Sequence, residues 1–229
     1  MENSAMQGKK LAAAKAVSYI RSGMTLGLGT GSTAYWAIQG IGEEVRKGLS
    51  VRAIATSIQS ESLARELGIP IVPFSEIDHL DITIDGADEV DEGLNLIKGG
   101  GGALLREKIV ASATRFYIII VDESKLVHLL GKFPLPVEVA PFGWELTFRR
   151  LQDIGGAPRM RMLGGVPFLT DNQHYILDTS FGLIPDPARL HEQVSGITGV
   201  MEDGFFINMA DLVIAGLAGG DTRVLERVA

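Results

Sequence analysis

Strand-length apolar runs alternate with amphipathic segments over the first 121 residues, and few folds accept that order. Helical periodicity runs from about Lys9 to Arg21, with Leu11, Ala14, Val17 and Tyr19–Ile20 on one side, and Gly23 ends it. Met24–Gly29 reads as a buried strand, Thr33–Lys47 as a helix, Val51–Thr56 as a strand, and Ile58–Leu67 as a helix closed by Gly68. Strands are expected at Ile69–Phe74 and Asp81–Asp85, then a helix over Ala103–Thr114 and a strand over Phe116–Val121. Such alternation predicts an α/β fold, a mostly parallel, Rossmann-like sheet flanked by helices.

From Gly131 the texture changes. Phe133-Pro134-Leu135-Pro136 reads as a rigid, non-helical junction. A strand around Val137–Val139, a helix over Gly143–Ile154, strands near Arg159–Leu163 and Tyr175–Asp178, and a helix at Ala188–Val194 follow. That order predicts a smaller α+β domain over residues 131–203, inserted near the C-terminus of an α/β catalytic domain made of 1–130 and 204–229. Ala210–Leu217 is again apolar and is expected to return to the first sheet.

Composition removes several function classes. The net charge is −7, with 21 basic against 28 acidic side chains and no Lys/Arg run, so no nucleic-acid partner is expected. An anionic small molecule needs only a few local donors and stays open. There is no cysteine, which rules out disulfides, cysteine-rich zinc sites and a thiolate nucleophile. His79, His128, His174 and His191 are scattered without ligand spacing, so no metal is expected. The polar start, Met1 to Gln7, resembles no secretory or transit signal, and the apolar stretches are too short to span a bilayer. A cytoplasmic protein without membrane contact is expected.

The chemistry concentrates at glycine-rich turns. Gly27-Leu28-Gly29-Thr30-Gly31-Ser32-Thr33 follows a strand and opens a helix, the setting of a phosphate cradle. It is not the dinucleotide fingerprint, because Ser32 stands where a third glycine would, and the next strand ends at Thr56-Ser57 without an acidic residue. Nor is it a P-loop, since no Gly-Lys-Ser/Thr follows. The hydroxyls of Ser32 and Thr33 beside free N–H groups suit a single phosphate monoester.

Asp85-Gly86-Ala87-Asp88-Glu89 is followed by Lys98-Gly99-Gly100-Gly101-Gly102 and then Glu107. Asp81 to Glu92 approaches a calcium loop but fails it at Thr83 and Asp88. The better reading places Asp85 and Asp88 where a strand ends, at the ligand-binding edge of an open α/β sheet. Four successive glycines are costly in backbone entropy unless close approach to a ligand is needed. Glu107 falls in the first turns of the next helix. There the helix N-terminus and Lys98 favour its carboxylate, while burial and the Asp side chains favour its protonated form, so a tuned base is expected. Lys125, in Asp122-Glu123-Ser124-Lys125, lies just past another strand on the same predicted edge.

With these residues in view, the chain resembles the ribose-5-phosphate isomerase A family. The matching segments are GLGTGSTA (27–34), TSIQSESLARELGI (56–69), DITIDGADEVD (81–91), KGGGGALLREKI (98–109), DESKLV (122–127), GKFPLPVEV (131–139), TDNQHYILD (170–178) and ADLVIAG (210–216), in order over nearly the whole chain. The resemblance implies interconversion of ribose 5-phosphate and ribulose 5-phosphate without cofactor or metal, in the pentose phosphate pathway. A homo-oligomer is expected, a homodimer with the tetramer as alternative, for which the second small domain is a reasonable assembly surface. It implies Glu107 as the general base between C2 and C1, with Asp85 and Asp88 on the sugar hydroxyls and Asp85 assisting ring opening. Gly86 and Ala87, in the same turn, would also bind the substrate. Lys98 and the Gly99, Gly100 and Gly101 amides would steady the enediolate oxygens. Thr30, Gly31, Ser32 and Thr33, with Lys9 and Lys125, would hold the substrate and its phosphate. Two departures stand out: Gly100 occupies a position where some relatives carry Arg, and Gln173-His174 replaces a turn usually richer in Gly and Asn.

Two other readings compete. A CoA-transferase would use a glutamate nucleophile but needs a groove for a large thioester, for which the chain is short; a sugar-phosphate deaminase would share the fold. A non-catalytic sugar-phosphate sensor would carry a helix-turn-helix at one end and lack the base, whereas Glu107 is present and both termini are brief.

Overall fold

The computed structural model describes residues 2–227, with side chains from residue 5 onward. In chain order the elements begin with α1 (Glu2–Val17), β1 (Thr25–Leu28), α2 (Ser32–Arg46), β2 (Arg52–Ala55), α3 (Ile58–Glu66) and β3 (Leu80–Asp85). Two short strands, β4 (Glu89–Val90) and β5 (Leu96–Ile97), precede α4 (Leu104–Ser112) and β6 (Thr114–Asp122). Then come β7 (Leu135–Val139), α5 (Trp144–Asp153), β8 (Ala157–Met160), β9 (Met162–Leu163), β10 (Val166–Pro167) and β11 (Tyr175–Ser180). Helix α6 (Pro187–Ser195) and strands β12 (Val200–Asp203), β13 (Phe205–Phe206), β14 (Leu212–Gly216) and β15 (Thr222–Glu226) follow.

Two compact units result: Met1–Ala87 with Arg106–Leu126 and Asn208–Ala229, and Asp88–Leu105 with Val127–Ile207. The first holds a six-stranded sheet in the order β15-β14-β6-β3-β1-β2. All its strands are parallel except the edge strand β15, which runs antiparallel to β14. Every residue of β1 and β14 is buried, as expected for strands covered on both faces. Leu26, Leu28, Ile82, Ile84, Ile118, Ile120 and Ile214 meet Ala37, Ile38 and Ile41 of α2 and Ala12, Ala13 and Ala16 of α1 in one core. The small residues of α1 allow close packing, and at Gly8 the helix meets Gly216 backbone to backbone. A Cβ on Gly216 would lie 1.9 Å from the Gly8 carbonyl oxygen.

The return of Ala210–Leu217 to this sheet is seen in the pairing of β14 with β6. The strand expected at Ile69–Phe74 is not there. A lone bridge joins Ala53 and Ile71, and a 3₁₀ turn follows at Phe74–Glu76. Pro70 supplies a reason. The bridge is made by the Pro70 carbonyl and the Val72 amide, so the next amide that a ladder with β2 would need is the one Pro70 lacks. After Pro73 the chain turns away at Phe74.

In the second unit β12-β7-β11-β8 form an antiparallel sheet, β13-β5-β4 a three-stranded one, and β9-β10 a hairpin. Val137, Val139 and Leu177 pack with Leu151 of α5 and Val194 of α6. Strand β7 begins at Leu135, two residues earlier than expected, so Pro136 lies inside it. Its neighbour β12 pairs only as far as Val137, so the missing amide interrupts no ladder on that side. Sequence reading drew the smaller domain at 131–203; the contacts also place Asp88–Leu105 in this unit, through the β5–β13 pairs Ile97↔Phe205 and Leu96↔Phe206.

Candidate active site

Numbering the parallel strands of the first unit along the chain gives the order 2-1-3-4-5, which reverses between β1 and β3. Open α/β sheets bind ligands at the carboxyl ends of the strands flanking such a reversal. Those ends are Gly29-Thr30 and Asp85-Gly86. Gly29 has no room for a side chain: a Cβ there would lie 2.1 Å from Asp85 Oδ1 and 2.5 Å from Asp85 Cα.

Asp85 is fully buried. Its Oδ1 accepts the Thr30 amide at 3.0 Å and the Gly86 amide at 2.7 Å, and the Tyr117 hydroxyl donates to Oδ2 at 3.4 Å. A carboxylate out of water needs such donors. Glu107, in the first turn of α4, is 5% exposed. Burial pushes the Tyr117 phenol well above its ordinary pKa, and the negative charges of Asp85 and Glu107 push it further. Two buried carboxylates thus act on one buried phenol that stays protonated and donates.

The N-terminus of α2 has a different character. Gly31 is its N-cap, at φ 102°, and no side chain caps it. From α1, the Lys9 ammonium donates to Ser32 Oγ at 2.9 Å. Cation and helix dipole present the same sign there, an arrangement that an anion relieves. Thr33 is buried in the first turn. Thr30, expected among the phosphate contacts, gives its amide to Asp85, while its hydroxyl bonds with those of Thr56 at 2.7 Å, Ser57 at 2.8 Å and Ser60 at 3.3 Å. Ser60 in turn donates to the Gly29 carbonyl at 2.7 Å. This hydroxyl cluster anchors the turn to the start of α3, where Ser57 caps the helix.

Lys125 ends a 3₁₀ turn after β6, held by Asp122, which accepts the Ser124 amide at 3.1 Å. That turn packs against α1, the helix carrying Lys9. Among the described residues no side-chain hydrogen bond joins Lys125 to the other predicted site residues. Ala87 follows Gly86 and is half-buried.

In the second unit, Asp88 and the glycine run hold each other. The Gly100 amide donates to Asp88 Oδ2 at 2.7 Å, and the Asp88 amide donates to the Ile97 carbonyl at 2.8 Å. A Cβ on Gly100 would lie 2.5 Å from Asp88 Oδ1, so a side chain there would require the Asp88 carboxylate to shift. Gly99 takes φ 103°, which favours glycine. Lys98 is 2% exposed, its amide donates to the Gly204 carbonyl at 2.9 Å, and its ammonium lies 5.3 Å from the centre of the Phe206 ring. Gly101 is exposed.

Each histidine faces a carboxylate: His79 with Asp81, His128 with Glu92, His174 with Glu138 and His191 with Asp203. Among the described residues no group of three or more His, Asp or Glu side chains is arranged to hold a metal ion. Sequence reasoning missed Tyr117, the Thr56/Ser57/Ser60 cluster and Arg161, which holds the Gly99 and Gly100 carbonyls. Only Tyr117 left a trace, as the one polar side chain inside the apolar run 116–121.

The family model for ribose 5-phosphate isomerase A (phosphoriboisomerase A) matches residues 52–220. The chain is 51% identical to ribose-5-phosphate isomerase A of Bacillus mycoides over 216 residues, covering 94% of this chain and 98% of that one. It is 49% identical to the protein of the same name from Thermomicrobium roseum over 224 residues, 96% of this chain and 94% of the other. Among solved structures, ribose 5-phosphate isomerase from Plasmodium falciparum superposes with a TM-score of 0.93 at 41% identity, covering 96% of this chain and 98% of that one. A D-ribose-5-phosphate isomerase in complex with phospho-erythronic acid gives 0.92 at 40% identity, with 96% and 97% covered.

Proposed function

This chain belongs to the ribose 5-phosphate isomerase A family, and from that premise we propose how its residues divide the work. The reaction is the interconversion of ribose 5-phosphate and ribulose 5-phosphate, a step of the non-oxidative pentose phosphate pathway. The observation that carries the assignment of roles is the pair of buried carboxylates, Asp85 and Glu107, acting on the Tyr117 phenol beside the sheet's reversal point.

Glu107 is the base. It takes the proton from C2 of the open aldose as the aldehyde oxygen at C1 gains one, giving an enediol(ate). It then returns a proton to C1 while the C2 hydroxyl loses its own and becomes the ketone. Asp85, oriented by two amides and the Tyr117 phenol, assists ring opening at the anomeric hydroxyl. Asp88 binds a sugar hydroxyl, and Lys98 with the Gly99–Gly101 run stabilises the negative oxygens that form. The start of α2, from Gly31 to Thr33, holds the phosphate with Lys9, and Lys125 adds charge; Thr30 supports this turn through its hydroxyl cluster. Gripping the phosphate uses binding remote from the reacting carbons to orient them.

Replacing Lys9 by Met keeps the length of the side chain and removes its charge. KM for ribose 5-phosphate should rise about tenfold, the loss of one charge-assisted hydrogen bond, with kcat little changed. An unaltered KM would remove Lys9 from the phosphate site.

We further propose a homodimer, with the tetramer as the alternative assembly. The exposed apolar side chains of Met162, Leu163 and Val166 on the β9–β10 hairpin support association. The cytoplasm is the proposed compartment, since charge retains phosphorylated pentoses there. No helix among the described residues is long and apolar enough to cross a membrane. The reading is tested by following ribulose 5-phosphate formation from ribose 5-phosphate in excess chelator. Robust turnover supports a metal-free isomerase, and loss of turnover on chelation contradicts it.

A further inference from the structure

Arg161 lies between β8 and β9, and the reaction as described above makes no use of it. Its Nε donates to Asp178 Oδ2 at 2.9 Å and its Nη2 to Asp178 Oδ1, a two-pronged pair with β11. Its Nη1 donates to the Gly99 carbonyl at 2.9 Å and to the Gly100 carbonyl at 3.2 Å. The guanidinium also sits 5.9 Å from the centre of the Phe168 ring. Arg161 is only 15% exposed on its side chain. One edge of the guanidinium is therefore fixed by a carboxylate, and the other is committed to two successive backbone carbonyls.

Peptide planarity makes the consequence direct. The Gly99 carbonyl and the Gly100 amide belong to one trans peptide and point in opposite directions. Arg161 and the Gly102 amide, the latter at 3.0 Å, hold its oxygen, and Asp88 Oδ2 holds its N–H. The next peptide joins the Gly100 carbonyl to the Gly101 amide. With that carbonyl on Arg161, the Gly101 N–H is directed away from the guanidinium. Four glycines have no side chains with which to fix their own conformation. The anchor has to come from elsewhere.

We propose that Arg161, oriented by Asp178, is a positioning residue for the isomerisation: it fixes the Gly99–Gly101 backbone so that the Gly101 amide and Asp88 are presented to the substrate. A cation on the carbonyl side also polarises both peptides and strengthens the Gly101 amide as a donor to an oxyanion. The inference rests on the proposed role of the glycine run toward the enediolate.

The test uses Arg161→Ala and Asp178→Asn in the full chain, with phospho-erythronic acid and inorganic phosphate as probes. The planar carboxylate of the acid resembles the enediolate. Arg161→Ala should lose about 10²-fold in kcat, because a misaimed donor is lost to the reaction. Its KM should stay within about threefold, because the phosphate grip is untouched. Affinity for phospho-erythronic acid should fall while that for inorganic phosphate is retained. Low-millimolar guanidinium should restore part of kcat, which a merely structural defect would not allow. Asp178→Asn, which keeps Arg161 and loosens its aim, should fall between wild type and Arg161→Ala. If wild type binds phospho-erythronic acid no better than phosphate, the glycine run does not face an oxyanion and the underlying reading fails. If wild type shows that preference and Arg161→Ala keeps both it and kcat, the clamp is overturned.

Discussion

Glu107→Gln should lower kcat on the order of 10³-fold while leaving KM for ribose 5-phosphate within a few-fold. Glutamine matches glutamate in size and shape, so the first turn of α4 and the packing around this 5%-exposed side chain should survive. What disappears is the ability to accept a proton from C2. The neutral amide also removes one of the two charges that act on Tyr117, so the variant has an independent signature: the Tyr117 phenol should titrate at lower pH than in wild type. Glu107→Asp retains the charge and withdraws it by one methylene. Its kcat should also fall, by about 10²-fold, because a base misplaced by roughly an ångström loses its alignment with the C2 proton. Steady-state kinetics on the three proteins checks both values. A Glu107→Gln enzyme within tenfold of wild type would show that another group carries the proton.

Gly29→Ala should cost about 2–4 kcal/mol of stability and nearly all activity. The added Cβ would sit 2.1 Å from Asp85 Oδ1, 2.4 Å from its Cγ and 2.5 Å from its Cα. The side chain alone cannot move away, because the contact includes backbone, so the ends of β1 and β3 must separate. That separation breaks the bonds from the Thr30 and Gly86 amides that orient Asp85. Gly86→Ala is the control. Its Cβ would find the Thr30 and Ile120 carbonyl oxygens at 3.8 and 3.9 Å, ordinary contacts, and stability should change by about 1 kcal/mol or less. Urea unfolding of the two variants should separate them clearly. Equal midpoints would mean that the Gly29–Asp85 approach does not constrain the turn.

The parallel sheet was legible because strands buried on both faces read as unbroken apolar runs, as in Ile118–Val121 and Leu212–Ala215. The same signal misled at residues 69–74, where the apolar side chains are present but Pro70 withholds a ladder amide and the chain turns off after Pro73. Strands β4, β5 and β13 are two residues each, too short to show a period, and the pairing of β5 with β13 joins segments far apart in sequence. The extent of the second unit depends on that pairing, which is why 88–105 was assigned elsewhere from sequence alone. Asp85, Lys98 and Glu107 stand out in the sequence because they cluster around a glycine run that is costly in backbone entropy unless a ligand approaches closely. Arg161 gave no such signal. It is one arginine on a short connection, and its role is set by carbonyls some sixty residues away. The diversion of the Thr30 hydroxyl to Thr56, Ser57 and Ser60 is likewise a tertiary fact, since any of the hydroxyls in the turn looks equally available to a phosphate.

Whether Glu107 carries the proton between C2 and C1 is read by following solvent deuterium with NMR. Wild type and Glu107→Gln would each be incubated with ribose 5-phosphate in D₂O with excess chelator. The assignment of Glu107 requires that wild type form ribulose 5-phosphate, with deuterium at C1 to the extent that the Glu107 carboxyl exchanges its proton with solvent before returning it. It also requires that the variant give no detectable product and no exchange at C2 of ribose 5-phosphate over the same time. Undiminished exchange in Glu107→Gln would contradict it.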